Sequence, residues 1–300
     1  MPAPTDPFIT STRAAIEPGE RYAVVSSAVA PVVEIRPDRA WHDLDVREVW
    51  RYRDMLLLLV QRDVVVRYKQ TLLGVSWAVL QPLGPMLVFT LIFTRFIQMP
   101  AGDHPYPVFV LSGLVPWTFF SASVNGASSS LVSHAHMLSK VYFPRIVLPA
   151  AAVLAKLVDL LIGCLLLLAL MAAYGIAPSA SLALLPLVVA ALVVLAFAVG
   201  LTVAAINTTY RDAGHALPLV LQLWLFLTPV IYARDVVPVE WRWILVLNPV
   251  TGILESFRAV LLAGRIPWVH LGLSSLLACA LLVVGLVLFA RMEKHLADHL

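Results

Sequence analysis

The stretch RDVVVRYKQTLLGVSWAVLQPLGPM, residues 62–86, joins a charged, striped segment directly to an apolar run that holds two prolines. Arg62, Arg67 and Lys69 crowd its start. Leu57, Val60, Val64 and Tyr68 recur at helical spacing on one face, and Asp63, Arg67 and Gln70 on another. Asp63 and Arg67 stand four apart, which predicts a favourable pair. Residues 54–70 therefore read as an amphipathic helix lying in a membrane interface. From Thr71 the chain carries no charge until Arg95, which predicts a first span over 71–95, beginning immediately after that helix. Pro82 and Pro85 each remove a backbone donor within it and predict a kink.

Composition carries this reading to the whole chain. Of 300 residues, 60% are hydrophobic and 13% charged, and the mean hydropathy is +0.88. Soluble domains run near ~45–50% apolar and ~25% charged. The chain is expected to be an all-α integral membrane protein. A net charge of +3 leaves no footprint for a nucleic-acid partner. Cys164 and Cys279 lie within apolar runs and read as small buried hydrophobes, not as a disulfide framework or a metal site. Residues 1–53 form a polar, proline-bearing tail without the apolar stretch of a secretory signal.

Five more spans are expected at 107–131, 147–174, 182–206, 214–233 and 268–290, since ~20 apolar residues cover ~30 Å of hydrocarbon. The stretch 236–264 is apolar too, but it carries Glu240, Arg242, Glu255 and Arg258, and Asn248-Pro249 divides it. It reads as two short re-entrant helices. Residues 292–300 remain as a short tail. With both termini inside, the inner segments hold 15 Lys and Arg against 5 at Arg95, Arg234, Arg242, Arg258 and Arg265, which predicts an N-in, C-in chain.

The four lysines, Lys69, Lys140, Lys156 and Lys294, never follow a glycine, so the chain has no phosphate-cradling G-x-x-x-x-G-K-[ST] loop. It also lacks G-x-S-x-G, H-E-x-x-H and C-x-x-C. No enzyme is expected, and no cofactor in this chain. Energy for transport would come from an ion gradient or from another subunit. Lys156 and Asp159 stand three apart inside the third span, which predicts an intramembrane pair. A proton-coupled transporter working through Asp159 is the rival from another class, although the halves show no internal repeat. The loop SHAHMLSKVYFPRIVLPA, residues 133–150, reads as a short polar helix at His134, His136 and Lys140, suited to docking on a cytoplasmic partner. His134 and His136 stand two apart and point away from each other on a helix, so no metal is expected there.

Five segments together resemble one family: 62–83, YPVFVLSGLVPWTFFSASV (106–124), LSKVYFPRIVLPAA (138–151), NTTYRDAGHALPLVLQLWLFLTPVIY (207–232) and LNPVTGILESFR (247–258). They look like the permease subunit of type-2 ABC exporters, closest to those exporting O-antigen and related lipid-linked polysaccharides. The resemblance covers about 55–291, with the transmembrane domain at 71–291, and leaves the tail outside. It implies a homodimer with two copies of a cytoplasmic ABC ATPase that binds ATP and magnesium, in the bacterial inner membrane. It also implies a coupling helix at His134, His136, Lys140, Tyr142 and Phe143, and an outer gate at Trp241, Asn248, Pro249, Glu255 and Arg258. The alternatives within the family are a capsule, a teichoic acid or another envelope glycan.

The cargo so implied is a polysaccharide on a polyprenyl pyrophosphate. Its anionic head suits Arg62, Arg67 and Lys69, which also suit membrane lipid phosphates. Its sugar chain suits aromatic faces and small polar groups. Trp77, Gln81, Trp117, Phe120, Gln222, Trp224 and Phe226 are the expected channel lining.

Overall fold

The computed structural model describes residues 50–69, 74, 76–97, 104–138, 140 and 143–298, with the backbone alone at 97 and 294–298. Every regular element among the described residues is helical. In chain order these are α1 (Arg53–Lys69), α2 (Ser76–Leu91), α3 (Tyr106–Ser133), α4 (Ala135–Leu138), α5 (Val147–Ala155) and α6 (Leu157–Ala173). They continue with α7 (Leu185–Thr209), α8 (Asp212–Leu227), α9 (Arg242–Leu247), α10 (Pro249–Leu261) and α11 (Trp268–Asp298).

Five helices are long and apolar enough to cross a membrane: Ser76–Phe96, Tyr106–Ser133, Val147–Ala173, Ala180–Thr209 and Trp268–Glu293. The expected fifth span, 214–233, is shorter than predicted. α8 is 16 residues and ends at Leu227, and Thr228 is extended (φ −109°, ψ 138°). Pro229 follows, and a residue before proline is pushed out of the helical region. The stretch expected to re-enter is a helix pair, Val239–Leu247 and Pro249–Leu261, bent by 94° at Asn248.

The join at the opening stretch also differs. α1 and α2 are separate, and Gly74 between them has φ +49°, a left-handed conformation that glycine adopts at little cost. The described part of the first span starts at Ser76, and Thr71, where the span was expected to begin, lies outside the described residues. α2 runs without a break through Pro82 and Pro85 and continues as a π-helix, Ile92–Ile97. Each proline leaves the carbonyl four residues earlier, on Ala78 and Gln81, without its ladder partner.

α3 is the centre of the bundle. It is 78% buried over its most apolar window, against 17% for α2. It packs on α7, α5, α2, α6 and α10, while α7 also packs along α11. Phe119 and Phe120 of α3 are fully enclosed. A second cluster closes the α1 end, where Leu59, Leu131, Phe143, Leu201 and Phe289 meet. Small residues permit the tightest contacts, as expected where helices associate without a hydrophobic drive. A Cβ at Gly113 would lie 2.6 Å from the Val230 carbonyl oxygen, so α3 accepts the chain beyond α8 only because that position is bare.

Candidate functional site

At the α1 end, Arg62, Asp63 and Arg67 face the bundle. Arg62 bonds to Asp63 (Nη2 2.9 Å, Nε 3.2 Å from Oδ1) and reaches the His134 ring at the end of α3. His134 Nδ1 lies 2.8 Å from the Ser130 carbonyl. A carbonyl only accepts, so Nδ1 carries the proton and Nε2 accepts from Arg62, a neutral ring assigned by its partners. Arg67 donates to Asp159 Oδ2, and Tyr68 Oη donates to Oδ1 of the same carboxylate. Burial and the Asp159 bond push the Tyr68 phenol up to about 12. Lys69 ends α1 with its side chain exposed.

Two predicted pairs are thereby corrected. Asp63 partners Arg62 and not Arg67, because Arg67 is drawn across to α6. Asp159 partners Arg67 and Tyr68, and among the described residues no ion pair joins it to Lys156, because its two oxygens are already taken by α1. Tyr68 was absent from the expected site. Its hydroxyl and Asp159 are 91 positions apart, a distance no helical spacing reveals.

The loop helix is short: α4 spans Ala135–Leu138, and His136 and Lys140 are exposed there. Tyr142 lies outside the described residues. Phe143 is 3% exposed, locked in the cluster with Leu59 and Phe289. It cannot present its ring to a partner as expected, since an aromatic at the start of a span is better packed than solvated.

At the opposite end, Asn248 is the hub of the α9–α10 bend. Its Oδ1 accepts from Val250 N (3.1 Å), capping α10, and from Trp224 Nε1 (3.0 Å). Its Nδ2 donates to Thr228 Oγ1 (2.8 Å) and to the Leu227 carbonyl (3.3 Å). Pro249 follows at the first position of α10, where a missing N–H costs nothing. Arg258 donates to Ser112 Oγ (3.1 Å) and to the Val230 and Pro229 carbonyls (3.0 and 3.3 Å). Its guanidinium lies 3.8 Å over the Phe109 ring. Glu255 pairs with Arg234 (3.7 Å), and Arg234 reaches His270 Nε2 (2.8 Å). Trp241 is exposed. The bend is thus tied to α3 and to the end of α8 by side chains.

The aromatic candidates divide. Trp77 is 50% and Phe226 51% exposed, and Gln81 and Gln222 are exposed beside them on α2 and α8. Trp117 and Phe120 are buried in the centre of the chain, with tilted rings 5.6 Å apart, and are removed from the expected lining. Trp224 is half-buried, edge-on to Phe120 at 5.4 Å, with its N–H committed to Asn248. Burial of α3 on nearly all sides leaves its aromatics no open surface.

Residues 55–262, from α1 through α10, match the family described as ABC-2 type transporter. The chain is 38% identical over 226 residues to the O-antigen export system permease protein RfbA of Myxococcus xanthus, covering 74% of this chain and 85% of that protein. It is 28% identical over 246 residues to the O-antigen export system permease protein RfbA of Klebsiella pneumoniae, 82% and 94% of the two chains. It is 24% identical over 238 residues to the polysialic acid transport protein KpsM of Escherichia coli, 79% and 92% of the two. With its apolar helices long enough to cross a bilayer, the chain belongs to the ABC-2 type transporter family and is a multi-pass membrane permease.

Proposed function

We propose that this chain is the transmembrane subunit of an ATP-driven exporter that carries a lipid-linked, O-antigen-like polysaccharide across the bacterial inner membrane. The match to two kinds of surface-glycan export permease, across four-fifths or more of each relative, carries the reading. The capsule reading stays open as cargo, because KpsM is named for polysialic acid. The sequence holds no phosphate-cradling loop, so ATP and magnesium belong to a partner ABC ATPase. Two copies of each subunit are the proposed assembly.

The parts follow in order. N-in, C-in topology puts α1 in the inner interface, with Arg62, Arg67 and Lys69 toward lipid or pyrophosphate. α4, with His136 and Lys140 exposed, is the contact to the ATPase. Trp77, Gln81, Gln222 and Phe226 mark the face of α2 and α8 that a second copy would complete into a sugar path. The α9–α10 bend is the outer gate, since Asn248 and Arg258 tie it to α8 and α3. ATP-driven closure of the partner would then move the spans as rigid bodies. Asp159, bonded to Arg67 and Tyr68, fits a structural anchor better than a proton carrier.

Co-purification from the native host tests this. An ABC ATPase should accompany the chain, and hydrolysis should depend on it. Deletion of the gene should leave lipid-linked glycan inside the cell. A chain that purifies without an ATPase, or a deletion that leaves surface glycan intact, would refute the reading.

A further inference from the structure

A cavity of about 560 Å³ lies between α1, the end of α3 and α5. Its walls divide by chemistry. Leu59, Leu148, Ala151 and Ala155 make an apolar side. Arg62, Arg67 and Lys156 bring three cationic chains to it, and Ser130 and Ser133 add hydroxyls. The bonds from Arg62 to Asp63 and from Arg67 to Asp159 hold two of the cations in place. Among the described residues, no hydrogen bond or ion pair reaches the Lys156 ammonium, although its backbone is bonded to Val153 and Leu160. The Asp63 and Asp159 carboxylates bond to Arg62 and Arg67, and among the described residues neither bonds to Lys156.

Lys156 lies inside the Val147–Ala173 span, where an uncompensated charge is disfavoured. Gly126 borders the same space: a Cβ there would stand in ordinary contact with Lys156 Cε at 3.8 Å, and a larger side chain would occupy it. An ammonium without a protein partner, held in a cavity with one apolar wall, matches an anion attached to a hydrocarbon chain.

We propose that this cavity binds the phosphate headgroup of an anionic lipid, with Lys156 as its counter-ion and Arg62 and Arg67 as flanking donors. The proposal rests on reading Arg62 and Arg67 as headgroup contacts, and it adds the residue that holds the charge. The apolar wall takes the first methylenes of the lipid, which a free phosphate lacks. The lipid is either a bilayer phospholipid or the carrier of the cargo, which share this chemistry.

Native mass spectrometry of the purified full chain tests it, with phosphatidylglycerol, a polyprenyl diphosphate, phosphatidylcholine and inorganic phosphate as separate probes. The two anionic lipids should be retained above the other two. Lys156→Gln should weaken their binding about tenfold, the loss of one charge-assisted contact. Lys156→Arg should retain it. Gly126→Leu should fill the space and weaken binding as well, with size-exclusion elution confirming folded protein. Arg265→Gln, which removes an exposed cation elsewhere, should bind as the parent does. Preference for the polyprenyl diphosphate assigns the cargo carrier, and equal retention assigns a bilayer lipid. Unchanged binding in Lys156→Gln, or equal losses in Lys156→Gln and Arg265→Gln, overturns the site. Neither ATPase nor glycan enters this assay, so its result is separate from the export reading.

Discussion

At the scale of single residues, Asp159 and Tyr68 carry a sharp energetic test. Asp159 accepts from both Arg67 and Tyr68, and its side chain is only 17% exposed. Asp159→Asn should cost about 1–3 kcal/mol, because the partly buried acceptor of both Arg67 and Tyr68 loses its charge. Lys156→Gln should cost little, because no protein partner is lost. Thermal unfolding in detergent separates the two. Tyr68→Phe should cost about 1 kcal/mol, the net worth of one hydrogen bond. The Tyr68 pKa rises from 10.0 to about 12, so the protonated phenol is the form the fold favours. That contribution is complete below pH 10 and fades only as pH climbs through 12. The gap between parent and Tyr68→Phe should therefore stay constant from pH 7 to 9. These pairs were not legible beforehand. Sequence spacing offers each charge a neighbour three or four positions away, and Asp63 and Lys156 were the neighbours on offer. The partners that won stand 91 and 92 positions apart, and only packing of α1 on the bundle brings them together.

At the scale of elements, the α9–α10 bend depends on one side chain. Asn248 caps α10 and ties Trp224 and Thr228 to it. Asn248→Ala should cost about 1–2 kcal/mol through the lost cap alone. On the proposed function it should also lower export more than the fall in folded protein explains, by measurement of surface glycan per folded permease. The loop around α4 gives a second contrast. Phe143→Ala should cost about 3 kcal/mol as a core deletion and act on stability. Lys140→Glu changes an exposed position and should leave the unfolding midpoint unchanged. If the loop around α4 is the ATPase contact, it should still reduce hydrolysis that depends on the permease. Elements with a strong apolar period were legible, and their interruptions were legible only in part. Asn248-Pro249 announced the bend. The end of α8 was hidden, since residues 228–233 are as apolar as a helix requires and only Pro229 warned of the stop.

At the scale of the whole molecule, α3 is enclosed and α2 is largely not. Trp117 and Phe120 could not be told from surface aromatics by residue type, because burial depends on which helix becomes the hub. The exposed glutamines are the more telling feature, since an amide facing hydrocarbon without a partner is costly. Gln81 and Gln222 should therefore face water or a second copy. In a background lacking Cys164 and Cys279, cysteine at position 222 should react with a membrane-impermeant maleimide. Cysteine at the exposed, apolar position 276 should not. Equal labelling at both would remove α2 and α8 from any aqueous path. The 16 residues of α8 have one more consequence. At 1.5 Å per residue they measure about 24 Å, less than the ~30 Å of a hydrocarbon core. A passenger moving beside α8 meets a barrier whose thickness the protein sets, not the acyl chains around it. In proteoliposomes of graded lipid length, transit should hold steady while bulk membrane thickness grows.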